Sequence, residues 1–226
     1  MTKTEVLQEI DLSVVPAKYS LMGVLFLNEL LESQSLVKVV TKDKGVHKKV
    51  YLRGNKLTRG SYHQLQFKYK LYNPYVKKSY VENRESVVKI EVVDLELVDR
   101  IKLRYLARSF RSFNLDKYSS LAEAKEALLR KIDNEKQYTR KDDIMSKGYR
   151  KYMDNDVLDY LIKNKVPVKF YYTTGDEEIL CLQMYDTYQY LAKNDEKGTT
   201  NFINKGNVVK IEIMGDLEKI FKDELF

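Results

Sequence analysis

The chain has 226 residues, of which 43% are hydrophobic and 32% charged, and its formal net charge is +7. This length suits one large domain or two small ones, and no apolar run reaches the length of a membrane span. Residues 1–11 lack the apolar core of a signal peptide, and the single cysteine, Cys181, permits no internal disulfide. We therefore expect a cytoplasmic protein without a membrane segment.

The first part of the chain is predicted to form a helix followed by five short strands. Residues 1–18 indicate an arm, and Ser20 can cap a helix over 21–31. Apolar, β-branched and alternating residues, punctuated by glycine, asparagine and proline, then predict the strands, which are 36–41, 46–52, 62–69, 75–81 and 87–92.

The middle of the chain is predicted to be helical and basic. A first helix is expected over 97–113, and Ser120 with Glu123 matches a capping box before a second helix. Residues 133–147 are polar and typical of a linker. Residues 98–151 hold 15 basic and 8 acidic side chains, which favours either a path for RNA or a solvated helix face.

The last part of the chain repeats the order of the first. A short apolar helix pattern over 157–162 precedes further strand patterns, and the Val-Val-Lys-Ile-Glu string of 87–91 recurs at 208–212. Val37-Lys38-Val39 is echoed by Val168-Lys169-Phe170. These matches indicate a degenerate internal duplication, although two unrelated β-rich domains sharing one string by chance is the alternative.

Residues 154–213 carry a family resemblance. They contain Val-Pro-Val-Lys-Phe-Tyr-Tyr at 166–172, a turn at Thr174-Gly175, Tyr-Asp-Thr-Tyr at 185–188 and Ile-Asn-Lys-Gly-Asn-Val at 203–208. Asp186 follows Gly175 by eleven residues. In this order the motifs resemble the Sm-like family, and within it the Hfq family of bacterial RNA chaperones.

The resemblance implies a mainly β protein with helices. Two Sm-like folds, each an N-terminal helix plus a five-stranded bent antiparallel sheet, are expected to be joined by a helical segment. The expected domains are a degenerate Sm-like domain (1–96), a basic helical connector (97–150) and an Hfq-like Sm domain (151–226). Sm-like proteins form rings, so the resemblance also implies a homo-oligomer, with three chains forming a ring of six Sm units.

The resemblance further assigns RNA-binding residues. Tyr188 matches an aromatic residue that stacks on uracil in a pore-side pocket, and Lys205 and Asn207 are expected to contact the nucleotide. Asp186 orders the binding loop, which also holds Thr187. The remaining matches are Tyr171 (an aromatic residue that stacks on adenine on the opposite face), the rim residues Lys163 and Lys165, and Arg84, the best nucleotide candidate of the first half.

The predicted function is therefore binding of uridine-rich single-stranded RNA, which the resemblance extends to an RNA chaperone in post-transcriptional regulation. No catalytic constellation stands out, and His47 and His63 belong to no metal-like cluster, so neither an enzyme nor a cofactor is expected. The alternative is an Sm-derived scaffold or protein-interaction module that has lost RNA binding. Asp154, Gly206 and the acidic turn at 176–178 favour that alternative, and a DNA-binding protein is a weaker third.

Overall fold

The computed structural model describes residues 22–43, 45–58, 61, 67–94, 96–107, 113–114, 117–134 and 155–215. The helices are α1 (Met22–Ser33), α2 (Leu97–Ala107), α3 (Leu121–Asn134) and α4 (Asn155–Lys163). The strands are β1 (Val37–Thr41), β2 (Val46–Leu52), β3 (Lys68–Asn73), β4 (Lys78–Asn83), β5 (Val87–Val92), β6 (Pro167–Tyr172), β7 (Glu177–Tyr185), β8 (Gln189–Asn194), β9 (Thr199–Asn204) and β10 (Val208–Ile213). A 3₁₀ turn, Lys205–Asn207, joins β9 to β10.

Several predicted elements are confirmed, and others begin or end at different residues. The predicted strands 46–52 and 87–92 coincide with β2 and β5. The strand predicted at 75–81 begins later, because the Asn73 side chain accepts hydrogen bonds from the next backbone N–H groups and closes a turn over 74–77. The strand predicted at 62–69 overlaps β3, which begins at Lys68. Three predicted segments fall wholly or largely outside the described residues. They are residues 62–66 of this strand, the arm at 1–18 and most of the linker at 133–147.

The strands form one antiparallel sheet rather than two. The ten strands follow the order β10-β6-β7-β8-β9-β5-β1-β2-β3-β4, and the sheet is open, with β10 and β4 at its ends. The prediction of two separate five-stranded Sm-like folds joined by a helical segment is therefore wrong. The first half, α1 with β1–β5, and the second half, α4 with β6–β10, do share one strand order, since β5-β1-β2-β3-β4 corresponds to β10-β6-β7-β8-β9.

The two halves are joined by backbone hydrogen bonding between β5 and β9. The register pairs Lys89 with Ile203, Ile90 with Phe202, Glu91 with Asn201 and Val92 with Thr200. Ile90 and Phe202 are buried, and buried N–H and C=O groups on an unpaired edge would lose water without a replacement partner. Pairing the two edges satisfies these groups, which is the physical reason for the continuous sheet.

Both hydrophobic cores contain residues from each half. The first core lies beneath α1 and α2 and includes Met184, Leu191 and Phe202 of the second half. The second core lies beside α4 and includes Val40 and Val88 of the first half. Because neither core is complete without the other half, the two halves are expected to fold as one unit.

The described part of the basic connector packs on the first half. Arg100 and Arg104 of α2 both form ion pairs with Glu29 of α1, whose residue surface is only 4% exposed. In α3, Lys125 binds Asp99 of α2, at 3.2 Å, and Glu123 accepts a capping hydrogen bond from the Ser119 backbone N–H. Arg100 and Arg104 neutralise a buried carboxylate, so at these positions the connector is structural.

Candidate nucleic-acid interface

Three connecting segments meet where the two halves join. They are the β7–β8 loop at 186–188, the 3₁₀ turn Lys205–Asn207, and the turn at 84–86 between β4 and β5. Pairing of β5 with β9 brings the end of β9 next to the start of β5, and the turn before β5 comes with it. The site therefore contains residues from both halves.

Asp186 fixes the β7–β8 loop to the first half. One carboxylate oxygen, Oδ1, accepts the backbone N–H groups of Tyr188 and Gln189, both at 2.7 Å, and Oδ2 accepts that of Gly23 at 3.1 Å. Gly23 lies in the first turn of α1, where free N–H groups and the helix dipole favour a negative charge. Asp186 therefore determines the position of Tyr188.

Burial destabilises the charged form of the Asp186 carboxyl. Burial raises its pKa to about 6, although the three backbone N–H groups and the positive charge of Lys205 act in the opposite direction. The carboxyl is consequently charged above this value and begins to take up a proton in mildly acidic solution.

Lys205 lies beneath the loop rather than on the surface. Its residue surface is 4% exposed, and its Nζ lies 4.4 Å from the ring centroid of Tyr190 and 5.1 Å from that of Tyr185. The Lys205 backbone N–H also donates to the Tyr188 carbonyl at 2.8 Å. Cation–π contacts and the nearby Asp186 carboxylate compensate for burial of the ammonium group. In this position Lys205 supports Tyr188 from below.

Two asparagines connect the second half to the turn at 84–86. Asn207 is fully buried, and its Nδ2 donates to the carbonyls of Val87 at 2.8 Å and Glu85 at 3.4 Å. Nδ2 of Asn204 donates to the Arg84 carbonyl at 3.2 Å. Within the described part of the chain, Oδ1 of Asn207 has no hydrogen-bond partner. Asn207 thus makes structural contacts between the halves.

Tyr188 and Arg84 are more accessible than Asp186, Lys205 and Asn207. Both are half-buried, and the Arg84 guanidinium carbon lies 5.7 Å from the centroid of the Tyr188 ring. The Arg84 turn also lines an open pocket of about 610 Å³, whose other lining residues are Lys42, Phe67, Lys68, Asn83, Glu85 and Ser86. A base-stacking aromatic ring and a guanidinium group are therefore adjacent at the junction.

The other predicted site residues occupy different positions. Thr187 is half-buried in the same loop as Tyr188. Tyr171 lies on β6 near the β10 end of the sheet, and its hydroxyl donates to Glu212 at 2.8 Å. Lys163 ends α4 and Lys165 lies in the turn that follows, with both exposed. Tyr171, Lys163 and Lys165 are thus on elements other than those that form the junction site.

Sequence reasoning missed the adjacency of Arg84 and Tyr188, and it missed the lysines and phenylalanine of the pocket. A signal for Arg84 was present, because residues 83–86 precede β5 as residues 204–207 precede β10. That repeat marks equivalent turns in the two halves. It does not reveal that the first turn lies against the second half's loop.

Comparisons with protein-family models and with curated proteins give no match to this chain. Across the residues that the structure describes, no helix combines the length and apolar character needed to cross a bilayer. In the same ranges, no group of three or more histidine, cysteine, aspartate or glutamate residues is arranged to hold a metal ion.

Proposed function

We propose that this protein binds uridine-rich single-stranded RNA, without catalysis, at the junction between its two halves. The observation that carries the proposal is the placement of the Arg84 guanidinium beside the Tyr188 ring, each from a different half. The RNA-chaperone role in post-transcriptional regulation rests on the resemblance to the Hfq family alone. The single cysteine supports a cytoplasmic location.

The chemistry of the pair suits a nucleotide. Stacking of a base on an aromatic ring contributes about 1–3 kcal/mol, and it accepts any base, so selectivity must come from the surrounding hydrogen-bonding groups. A guanidinium group binds phosphate through two parallel N–H donors. Asp186, Lys205 and Asn207 then act mainly by holding Tyr188 and the Arg84 turn in place, since all three are buried.

The sheet ends support the proposed homo-oligomer. At the junction inside the chain, the fifth strand of one half, β5, pairs with the fourth strand of the other, β9. The strands left at the sheet ends are β10 and β4, which are the corresponding fifth and fourth strands. Pairing of β10 in one chain with β4 in the next is a head-to-tail contact, which closes into a ring when the rotation allows. Three chains would form the proposed trimer.

Fluorescence anisotropy of labelled RNA tests the binding proposal. The full-length protein should bind oligo-U more tightly than oligo-A or duplex DNA, and Tyr188→Ala should remove that preference. Tyr160→Ala is the matched control, because Tyr160 is also a half-buried tyrosine but lies on α4, outside the three segments that form the junction. No binding of oligo-U at low salt, or equal loss in both variants, would contradict the proposal.

Light scattering coupled to size exclusion tests the assembly. The wild-type protein should have the mass of a trimer, and Val81→Lys in β4 or Val209→Lys in β10 should reduce it, because lysine on an edge strand opposes pairing. Both valines are exposed, at 60% and 69%. Val93→Lys, at a 79% exposed position outside both edge strands, should leave the mass unchanged. A monomeric wild-type protein would rule out the ring.

One observation favours the scaffold alternative. Lys205 and Asn207, which the resemblance assigns to nucleotide contact, are 4% and 0% exposed and bond within the protein. A protein-interaction module that kept these loops for folding would show the same burial. Such a module would bind neither oligo-U nor oligo-A in the anisotropy experiment, and Tyr188→Ala would not change that result.

A further inference from the structure

The outward face of β2, β3 and β4 combines aromatic rings with basic side chains. Cross-strand pairs set Tyr51 beside Tyr72 and Tyr72 beside Ser79, and the Arg53 N–H donates to the Lys70 carbonyl at 2.8 Å. Intervening residues such as Leu52 and Leu71 are buried in the first core, so the alternation of strand side chains directs this set to the other face. We call this set, with Lys68, the β2–β4 face.

Among the described residues, aromatic rings rather than a carboxylate hold the guanidinium of Arg53. Its carbon lies 3.6 Å from the centroid of the Tyr72 ring and 5.6 Å from that of Tyr51, while Nη2 donates to the Tyr51 hydroxyl at 3.2 Å. The two rings pack edge to face with centroids 5.4 Å apart. Arg53 is exposed, so an ordered cation is presented to solvent on an aromatic support.

The positive charge of this face is not neutralised by the part of the chain that the structure describes. Arg53, Lys68 and Lys70 form no ion pair there, and the facing residues Ser79 and Val81 are uncharged. Lysines on other strands differ, because they bind carboxylates. These pairs are Lys38–Glu91, Lys89–Glu91, Lys169–Glu177, Lys193–Asp195 and Lys210–Glu212. Cations that lack an ion pair and cluster on one face indicate an anionic ligand.

We propose that the β2–β4 face binds single-stranded nucleic acid as a second site, separate from the junction site at Tyr188. Phosphates contact Arg53, Lys68 and Lys70, and bases or ribose pack against the exposed parts of Tyr51 and Tyr72. Interleaved cations and aromatic rings on a sheet surface match a flexible polyanion that also carries planar groups. Lys68 also lines the pocket beside Arg84, so one strand can extend from the face toward the junction.

This site has a binding signature of its own. The described residues of the face offer cations and ring surfaces, which contact phosphates and stack on any base, so oligo-U and oligo-A are bound alike. Each phosphate neutralised on a single strand changes the slope of log affinity against log salt by about 0.7. Removing two cations therefore lowers the slope by about 1.4 and weakens binding of both RNAs about 25-fold near 0.1 M salt.

The test compares two double variants of the full-length protein. Arg53→Ala with Lys70→Ala removes cations from the face, and Lys125→Ala with Lys193→Ala removes the same charge from lysines that are ion-paired elsewhere. Anisotropy is measured with oligo-U and oligo-A over a salt series, and thermal melting checks that each variant folds. The expected result is a smaller slope and weaker binding of both RNAs in the first variant alone. Equal slopes in the two variants overturn the inference.

Further arms separate this inference from the proposed function. Tyr188→Ala should remove the preference for oligo-U but leave the salt slope unchanged. Tyr72→Ala should weaken the binding of both oligo-U and oligo-A and leave the preference for oligo-U unchanged. If only the Tyr188 effect appears, the junction site stands and the β2–β4 face is overturned. If only the Arg53 and Lys70 effect appears, the face stands without the junction site. If Arg53→Ala with Lys70→Ala loses binding to phosphatidylserine vesicles while its RNA binding is unchanged, the face is a membrane surface and the inference is overturned.

Discussion

The ring of Phe26 in α1 stacks on the ring of Phe202 in β9, with centroids 4.2 Å apart and planes 9° from parallel. Both residues are buried, and they belong to different halves of the chain. Aromatic pairs of this kind contribute about 0.5–1.5 kcal/mol beyond the burial of their surface. The contact lies on the same side of the sheet as the first core and links α1 directly to the strand that pairs with β5.

Phe26→Ala should destabilise the whole protein. Truncating a buried phenylalanine costs about 3–5 kcal/mol, since it removes apolar surface and leaves a cavity. Because the core is shared, urea unfolding should remain one transition that moves to lower denaturant for both halves. Val76→Ala, at a 63% exposed position, should change stability by no more than about 0.5 kcal/mol. Two transitions, of which only one moves, would show that the halves unfold independently.

Lys89→Met should also weaken the connection between the halves. The Lys89 ammonium group lies between Glu91 of β5, at 2.7 Å, and Glu178 of β7, and all three side chains are at most 10% exposed. Removing one partner of a buried ion pair costs up to about 3–5 kcal/mol, because it leaves buried charge uncompensated. Glu91 and Glu178 keep Lys38 and Lys197, which should reduce the loss.

A second substitution checks the cause of the Lys89 effect. Lys89→Met combined with Glu178→Gln removes both charges of the pair, so urea unfolding should show partial recovery relative to Lys89→Met alone. Recovery would mean that unpaired charge, rather than lost packing, accounts for most of the change. If the double variant loses as much stability as Lys89→Met and Glu178→Gln lose separately when added together, the two side chains are not energetically coupled.

Asp186 should make stability depend on pH in a defined direction. Burial raises its folded-state pKa from 3.8 to about 6, so the native state takes up the proton first as the pH falls. Its contribution to the free energy of unfolding is therefore fully present below pH 3.8 and is lost as the pH rises through about 6. Between these two pH values the contribution of Asp186 to the free energy of unfolding changes by on the order of 3 kcal/mol at most.

Comparison with Asp186→Asn isolates this contribution. An asparagine cannot accept the Gly23 and Tyr188 N–H groups on both of its polar atoms, so the variant should lose about 1–3 kcal/mol at neutral pH. The stability difference between wild type and variant should widen as the pH falls from 7 to 4, because only the wild type titrates. Urea unfolding at several pH values measures it. A difference that narrows toward pH 4 would mean that the hydrogen bonds outweigh burial and hold the pKa low.

Local sequence patterns predicted the strands better than the sheet. Alternation and β-branched residues predicted β2 and β5 because these signals act within a few residues. The pairing of β5 with β9 joins segments about a hundred residues apart, and no periodicity names a strand's partner. A strand that is hydrophobic and unpaired within its own half indicates only that an edge must be covered.

The same limit applies to the site. The resemblance selected Asp186, Tyr188, Lys205 and Asn207, which the fold does bring together. It did not indicate that the lysine and asparagine are buried, since both residue types are mostly exposed in proteins. Nor did it indicate the position of Arg84, which depends on the long-range pairing between the halves. Burial and partners are properties of the packed structure, so short motifs do not encode them alone.

Arg84 allows the sharpest test of the junction site, because its side chain can be changed while its backbone bonds stay. The Arg84 N–H donates to Phe67 and its carbonyl accepts from Asn204, and neither bond involves the guanidinium group. Arg84→Ala should therefore weaken oligo-U binding about fivefold near 0.1 M salt and lower the salt slope by about 0.7, as expected for one lost phosphate contact. Arg84→Lys should keep the slope but recover only part of the affinity, because lysine lacks the planar fork. If both variants bind like wild type while Tyr188→Ala binds weakly, the guanidinium group does not contact the RNA.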